Sequence, residues 1–209
     1  MSDSLDTNPF TTLIGDLDRL FDQCWTELEA GAVEPDHPWK LATLGTVDDD
    51  GPKVRTLVVR GIDRSDDQLT FHTDGRSQKI AQIADNPATS ILMWHPHLRV
   101  QLTLAGESQV LRSGETWERE WNQSALTSRR AYLGEAAPGT IANAPDVNFP
   151  GQFSDRPPTD AESLAGQENF AVVQTSITQM DLLILQQSGN LRAQWTKQNN
   201  QWFGNWVAP

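Results

Sequence analysis

Arg55 and Arg60 bracket the β-branched run Thr56-Leu57-Val58-Val59, and a turn of sequence Gly75-Arg76-Ser77-Gln78-Lys79 follows soon after. These are the residue types that hold a small anion. A guanidinium offers paired donors, and Ser or Thr hydroxyls with the free amides of a helix N-terminus complete a phosphate cradle. From Lys53 to Lys79 there are six basic residues against four acidic ones, in a chain whose formal net charge is -12. A local cationic surplus in so acidic a protein points to a bound anion, and phosphate is the best candidate. Arg55 and Arg60 are five apart, so on a straight strand they face opposite sides. Both reach one ligand only if it wraps the strand end or a bulge intervenes. The other reading of the pair is surface partners for the nearby aspartates.

The elements that must position these residues follow from periodicity. Leu13, Ile14, Leu17, Leu20, Phe21, Trp25 and Leu28 predict a helix over Phe10–Ala30, with Gly31 as its stop and Cys24 near its apolar stripe. Strands are expected at Trp39–Val47, Val54–Ile62, Gln68–Thr73, Ala88–Trp94 and Leu98–Leu111. Asp48-Asp49-Asp50-Gly51-Pro52 forms a hairpin turn and His95-Pro96-His97 another. Ser77–Asn86 reads as a short helix with Ser77 at the N-cap, and helical character returns near Glu115–Trp121, where Trp117 and Trp121 share a face. Gly134–Gly166 is rich in Pro, Gly, Asn and Asp and reads as a long loop or insertion. Short strands resume from Phe170 to Val207. The whole, 1–209, reads as one mainly β domain, a small antiparallel barrel with a few peripheral helices.

Composition narrows the function classes. An acidic balance argues against nucleic acid, whose affinity rests on Lys and Arg contacts to phosphates. The sequence offers no apolar run near the ~20 residues of a membrane helix and no signal-peptide pattern at its start, so a cytoplasmic location is expected. One cysteine excludes an internal disulfide and a Cys-cluster zinc site. His95 and His97 flank a turn, but a two-histidine metal site needs a third ligand that the sequence does not identify, so no metal is expected.

Over about Trp39–Leu111, and again near the C-terminus, the chain resembles the pyridoxamine 5'-phosphate oxidase-like FMN-binding proteins, closest to the oxidase-related branch. The motifs are Arg55 through Arg60, then His72-Thr73 before Gly75-Arg76-Ser77-Gln78-Lys79, then Asn86-Pro87-Ala88-Thr89-Ser90, then Gln101-Leu102-Thr103-Leu104-Ala105-Gly106. The ending Trp206-Val207-Ala208-Pro209 matches the family's terminal pattern. No single motif is decisive; their order and spacing carry the match.

The resemblance implies an FMN-binding split β-barrel and a homodimer with FMN at the subunit interface. The apolar run Ser90–Trp94, which needs a second cover, agrees with a dimer. By position, Arg55, Lys79 and Ser77 or Gln78 would hold the phosphate, and Arg76 could substitute where Gln78 replaces the arginine of many members. Thr56, Val58, Val59 and Thr73 would line the flavin, His72 would take the aromatic position beside it, and Gln101 would meet its polar ring edge. Arg60 would lie near flavin and substrate. The implied activity is an FMN-dependent oxidoreductase acting on a small molecule. The substrate side departs from the family: Arg192 and Gln194 stand where an Arg-x-His motif and a further arginine are expected, so pyridoxamine 5'-phosphate is not the expected substrate. Arg192, Arg129 and Arg130 are the remaining substrate-contact candidates. A non-catalytic flavin carrier or sensor, or a haem protein using His72, His95 or His97, are the alternatives.

Overall fold

The computed structural model describes residues 8–209. The N-terminal helical stripe is two helices, α1 (Pro9–Thr12) and α2 (Leu17–Val33). Gly15 at φ 101° turns the chain between them, and the Asp16 carboxylate caps α2 by accepting the Arg19 N–H at 3.0 Å. Apolar spacing alone runs through this break, because Leu13 and Leu17 both pack on the core. Gly31 does not stop the helix, which continues to Val33. A Cβ at position 31 would lie 3.0 Å from the Trp39 Cβ, so the glycine serves close packing instead. Trp39 sits in a single 3₁₀ turn, Pro38–Lys40, rather than in the first strand.

The strands follow: β1 (Leu41–Asp48), β2 (Gly51–Asp63), β3 (Gln68–Asp74), then helix α3 (Gln78–Asp85), β4 (Ala88–His95) and β5 (Val100–Leu111). Helices α4 (Glu115–Gln123), α5 (Leu126–Arg129) and α6 (Asp160–Ser163) precede β6 (Phe170–Ile184), β7 (Leu191–Gln198) and β8 (Gln201–Val207). The sheet order is β3-β2-β1-β4-β5-β6-β7-β8, and β3 also pairs with β6, closing the first six into an antiparallel barrel. β6 makes this possible by its length: its first half pairs with β3 on one side while the rest carries β7 and β8.

Alternation decides what faces inward. In β4, Thr89, Ile91, Met93 and His95 are buried while the residues between them are exposed. Those inward rows meet Leu44, Leu102, Leu104, Met180 and Leu182, and α2 covers one end with Trp25 and Leu28. Two bulges shape the sheet. Val59 pairs with Phe71 and Gly61 with Thr70, leaving Arg60 as the extra residue of β2. Ala105 pairs with Gln179 and Gly106 with Ile177, leaving Thr178 extra on β6.

The expected insertion at 134–166 is mostly without regular structure, yet it is packed. It contains a 3₁₀ turn at Gly151–Phe153, whose Phe153 is buried, and α6, closed by a Thr159–Glu162 capping box. A second, smaller core of Trp121, Tyr132 and Phe170, with Trp117 packed against it, fastens α4 to the start of β6.

Candidate functional site

Adjacent strands β2 and β3 and the first turn of α3 bring the basic residues to one end of the barrel. Lys79 Nζ donates to Thr73 Oγ1 at 2.8 Å and to Ser77 Oγ at 3.0 Å, so the two hydroxyls orient the ammonium without neutralising it. Ser77 makes no side-chain cap bond to α3. Arg55 donates from Nη2 to Gln82 Oε1 at 2.8 Å and from Nη1 to Thr46 Oγ1, and Gln82 Nε2 passes the network on to Asp48 at 2.7 Å. Among the described residues, neither Arg55, Arg60 nor Lys79 has a carboxylate partner. Burial holds Lys79 below the usual lysine range and the neighbouring Arg55 charge adds to the effect; Asp74 opposes it. Two partly desolvated cations that disfavour each other are an arrangement that an anion relieves.

Beside this cluster lies a cleft of about 240 Å³, lined by Thr56, Leu57, Val58, Arg60, Phe71, His72, Thr73 and Lys79. A second cavity of about 280 Å³, lined by Lys40, Arg60, His72, Glu120, Gln123, Ser124 and Ala125, shares Arg60 and His72 with it. The bulge at Arg60 falls where the two meet. His72 Nε2 lies 3.0 Å from Glu120 Oε2, and this contact first, then the imidazole's and Arg119's charge, holds the Glu120 carboxyl below the usual range against its burial. Lys40 is lowered by burial and by Arg60 beside it.

Several residues expected at the site are placed elsewhere. Arg76 is bidentate to Asp74 and donates to the carbonyls of Gly134 and Glu135, which fastens the loop to the barrel and does not bring it to Lys79. Gln78 is exposed, and Val59 points into the core. Gln101 pairs with Trp94 and Leu183 on the outer face of the sheet, outside the cleft lining. On the substrate side, Arg192 is bidentate to Asp181 at 2.8 and 2.6 Å, and Gln194 donates to the same carboxylate at 2.7 Å. Arg129 is buried, bonded to the Trp121 and Asn122 carbonyls, Asp160 and Ser163, with its guanidinium over the Trp121 ring. Arg130 donates to the Phe153 carbonyl at 2.8 Å and covers Phe149. All three arginines are committed to scaffolding contacts.

Other contributors carry no sequence motif: Lys40, Glu120 and Ser124 come from distant segments, and Gln82 lies one helical turn beyond Lys79. The i, i+3 spacing of Lys79 and Gln82 on α3 is the one signal that could have linked the last to the site.

The histidines at the far turn have company that the sequence did not reveal. Glu27, His37 and His95 offer ligand-type atoms within 4.8 Å of one another. However, His37 Nδ1 accepts the Trp39 N–H at 3.1 Å and His95 Nδ1 accepts the Leu98 N–H at 3.2 Å. Each neutral ring then carries its proton on Nε2, and His37 donates it to Glu27 at 3.0 Å. A protonated nitrogen has no lone pair for a cation, so the cluster is laid out as a hydrogen-bonded carboxylate.

Residues 21–112 match the family model described as pyridoxamine 5'-phosphate oxidase, FMN-binding domain. A curated relative, pyridoxine/pyridoxamine 5'-phosphate oxidase of Rhizobium etli (strain CIAT 652), is 36% identical over 88 residues, 42% of this chain and 41% of its own length. The chain thus spans well under half of that relative. The enzyme of the same name from Paraburkholderia phymatum is 28% identical over 160 residues, 74% of this chain and 69% of its own. Among solved structures, a pyridoxamine 5'-phosphate oxidase-related, FMN binding protein from Nostoc punctiforme superposes with a TM-score of 0.71 at 25% identity, covering 90% of this chain and 96% of that one. PhzG from Burkholderia lata, at a TM-score of 0.64 and 14% identity over 96% and 92% of the two chains, shares the fold. The barrel is therefore of the split type, and residues 21–112 are similar to the FMN-binding domain of the pyridoxamine 5'-phosphate oxidase family.

Proposed function

We propose that the chain is an FMN-dependent oxidoreductase that works as a homodimer, on a small molecule other than pyridoxamine 5'-phosphate. The observation that carries the reading is the convergence of Lys79 and Arg55, which have no carboxylate partner among the described residues, beside Thr73, Ser77 and the open first turn of α3. These residues fit a phosphate monoester: two cations, two hydroxyls and helix amides supply donors, and the like-charge burden is relieved when a dianion enters. Flavin chemistry supplies the electron transfer, and the chain supplies anchoring, charge and access. Arg60 on the cleft wall favours negative charge that develops on the ring system. His72 and Arg60, common to both cavities, support a reading in which a smaller ligand's compartment adjoins the flavin's.

Two observations support a dimer. The cleft, at about 240 Å³, is below the ~300–1,000 Å³ typical of sites that enclose a ligand of this size, so one chain supplies only part of the wall. The outer sheet face next to it exposes Val54, Leu41, Leu92 and Trp94, and a second copy would cover that strip. The substrate reading rests on charge. A second phosphate needs its own cations; Arg192, Arg129 and Arg130 are already committed to Asp181 and to scaffolding, which leaves Lys40 and an Arg60 shared with the flavin cleft at the second cavity.

The test is isothermal titration with FMN and riboflavin, followed by oxygen consumption with pyridoxamine 5'-phosphate. Tighter binding of FMN and no sustained turnover are expected. Equal affinities would refute the phosphate site, and turnover at the rate of a dedicated oxidase would refute the substrate reading.

A further inference from the structure

His72 is the residue at which the two cavities touch, and its surroundings do more than pack it. The ring sits edge-on against Phe170 with centroids 4.9 Å apart, and its side chain is 7% exposed, so it has one orientation. The Glu120 carboxylate at Nε2 can only accept, so in the neutral ring the proton lies on Nε2 and the lone pair on Nδ1. Ser124 Oγ approaches Nδ1 to 3.5 Å, but its hydroxyl hydrogen is given to the Glu120 carbonyl at 2.7 Å. Nδ1 is therefore a base whose lone pair no strong donor among the described residues occupies. A carboxylate fixing the tautomer and stabilising the imidazolium is the logic by which hydrolytic triads prepare a histidine base.

We propose that His72, oriented by Glu120, is the acid–base group that exchanges the proton accompanying electron transfer in the cleft; this rests on the FMN-dependent reading above. In the oxidative direction His72 Nδ1 takes the proton of the donor's O–H or N–H bond while the adjacent C–H bond breaks, its hydride going to the flavin as oxidant and a C=O or C=N bond forming. The imidazolium is then held against Glu120 until its proton passes to solvent. In the reverse direction the same nitrogen gives the proton back. The donor class is thus an alcohol or amine with a hydrogen on the carbon that bears the heteroatom. The charges facing His72 set the balance. Glu120 favours the imidazolium, whereas Arg60 from β2 and Lys40 from the turn before β1 oppose it, and Arg119 draws on the other carboxylate oxygen at 3.3 Å. A negative charge arriving in the cleft offsets Arg60 and Lys40, so flavin reduction and proton uptake by His72 are coupled. Glu120 is a positioning residue; it acts only through the ring.

The experiment needs no substrate. The midpoint potential of FMN bound to the unmutated chain is followed against pH by dithionite titration with a dye mediator, then repeated for His72→Phe, Glu120→Gln and Glu120→Asp. Between about pH 5 and 8, where histidine titrates, the unmutated protein is expected to take up one more proton per flavin reduced than His72→Phe. Glu120→Gln should behave as His72→Phe, and Glu120→Asp should restore part of the slope. Superimposed profiles for the unmutated chain and His72→Phe would overturn the proposal. Should the variants not fold, nitrogen-15 NMR of the unmutated chain decides: a bare Nδ1 and protonated Nε2 are expected at His72, and the opposite tautomer overturns it. A chain that binds no FMN would refute the oxidoreductase reading at the loading step, while the NMR result still reports on the dyad by itself.

Discussion

Arg76 and Asp74 form a bidentate pair across the turn that leaves β3, with Nη2 to Oδ2 at 2.7 Å and Nε to Oδ1 at 3.0 Å. That contact separates two cations that are neighbours in the sequence. Asp74 binds Arg76, whose remaining donors reach the Gly134 and Glu135 carbonyls, whereas Lys79, three residues on, meets only hydroxyls among the described residues.

The first prediction follows from this division. Lys79→Ala is expected to weaken FMN binding by about 1.5–3 kcal/mol, the range for one charge-assisted hydrogen bond, and to leave riboflavin affinity nearly unchanged. Arg76→Ala should leave FMN affinity unchanged and lower thermal stability by releasing the loop at 134–135. Titration calorimetry and a melting curve on the two variants check both halves, and a weakened FMN site in Arg76→Ala alone would reverse the assignment.

Gly106 sets up a stability prediction. A Cβ there would lie 2.0 Å from the Ser176 carbonyl oxygen, a backbone atom held in the β5–β6 ladder beside the bulge at Thr178. Relief requires the strands to part, so Gly106→Ala is expected to cost about 2 kcal/mol or more. Urea denaturation measures it; an unchanged midpoint would show that the bulge yields freely.

Trp94 and Leu92 alternate with buried Met93 and Ile91 on β4, and both are exposed. Replacing Trp94 by Glu puts a charge in the face expected to meet the second subunit. Light scattering should give a dimer mass for the unmutated chain and a monomer mass for Trp94→Glu, with weaker FMN binding. A monomer that holds FMN fully in the unmutated protein would rule out the shared-wall reading.

His95 gives a pH dependence. Burial chiefly, helped by His37 and His97 and opposed by Glu27, lowers its folded-state pKa below the ordinary value. A depressed histidine binds fewer protons folded than unfolded, so its contribution is present above the unfolded pKa of ~6.5 and lost as pH falls from there toward the lowered folded value. The urea midpoint should therefore drop between pH 7.5 and about 5.5, and His95→Gln should flatten that drop. A drop of equal size in the variant would place its origin elsewhere.

The sequence by itself determined the strands and the clustering of the basic residues. Alternation of period two in 88–95 and 100–111 decided which side chains face the core, because a one-residue slip would expose the whole row. The Arg55, Thr73, Ser77 and Lys79 set was legible because local backbone geometry, two adjacent strands and a helix start, places it. What the tertiary structure alone decided was pairing over long separations. The β3–β6 closure joins segments about a hundred residues apart, and it brings Phe170 under His72. Packing of α4 on that strand then brings Glu120 to the imidazole, 48 residues away. Local spacing carries no record of such a contact. Competition for partners was equally invisible: Arg76, Arg129, Arg130 and Arg192 read as free cations until the fold supplied Asp74, Asp160, the Phe153 carbonyl and Asp181. A charge is available to a ligand only when the folded chain has not already neutralised it, and that depends on every element packed around it.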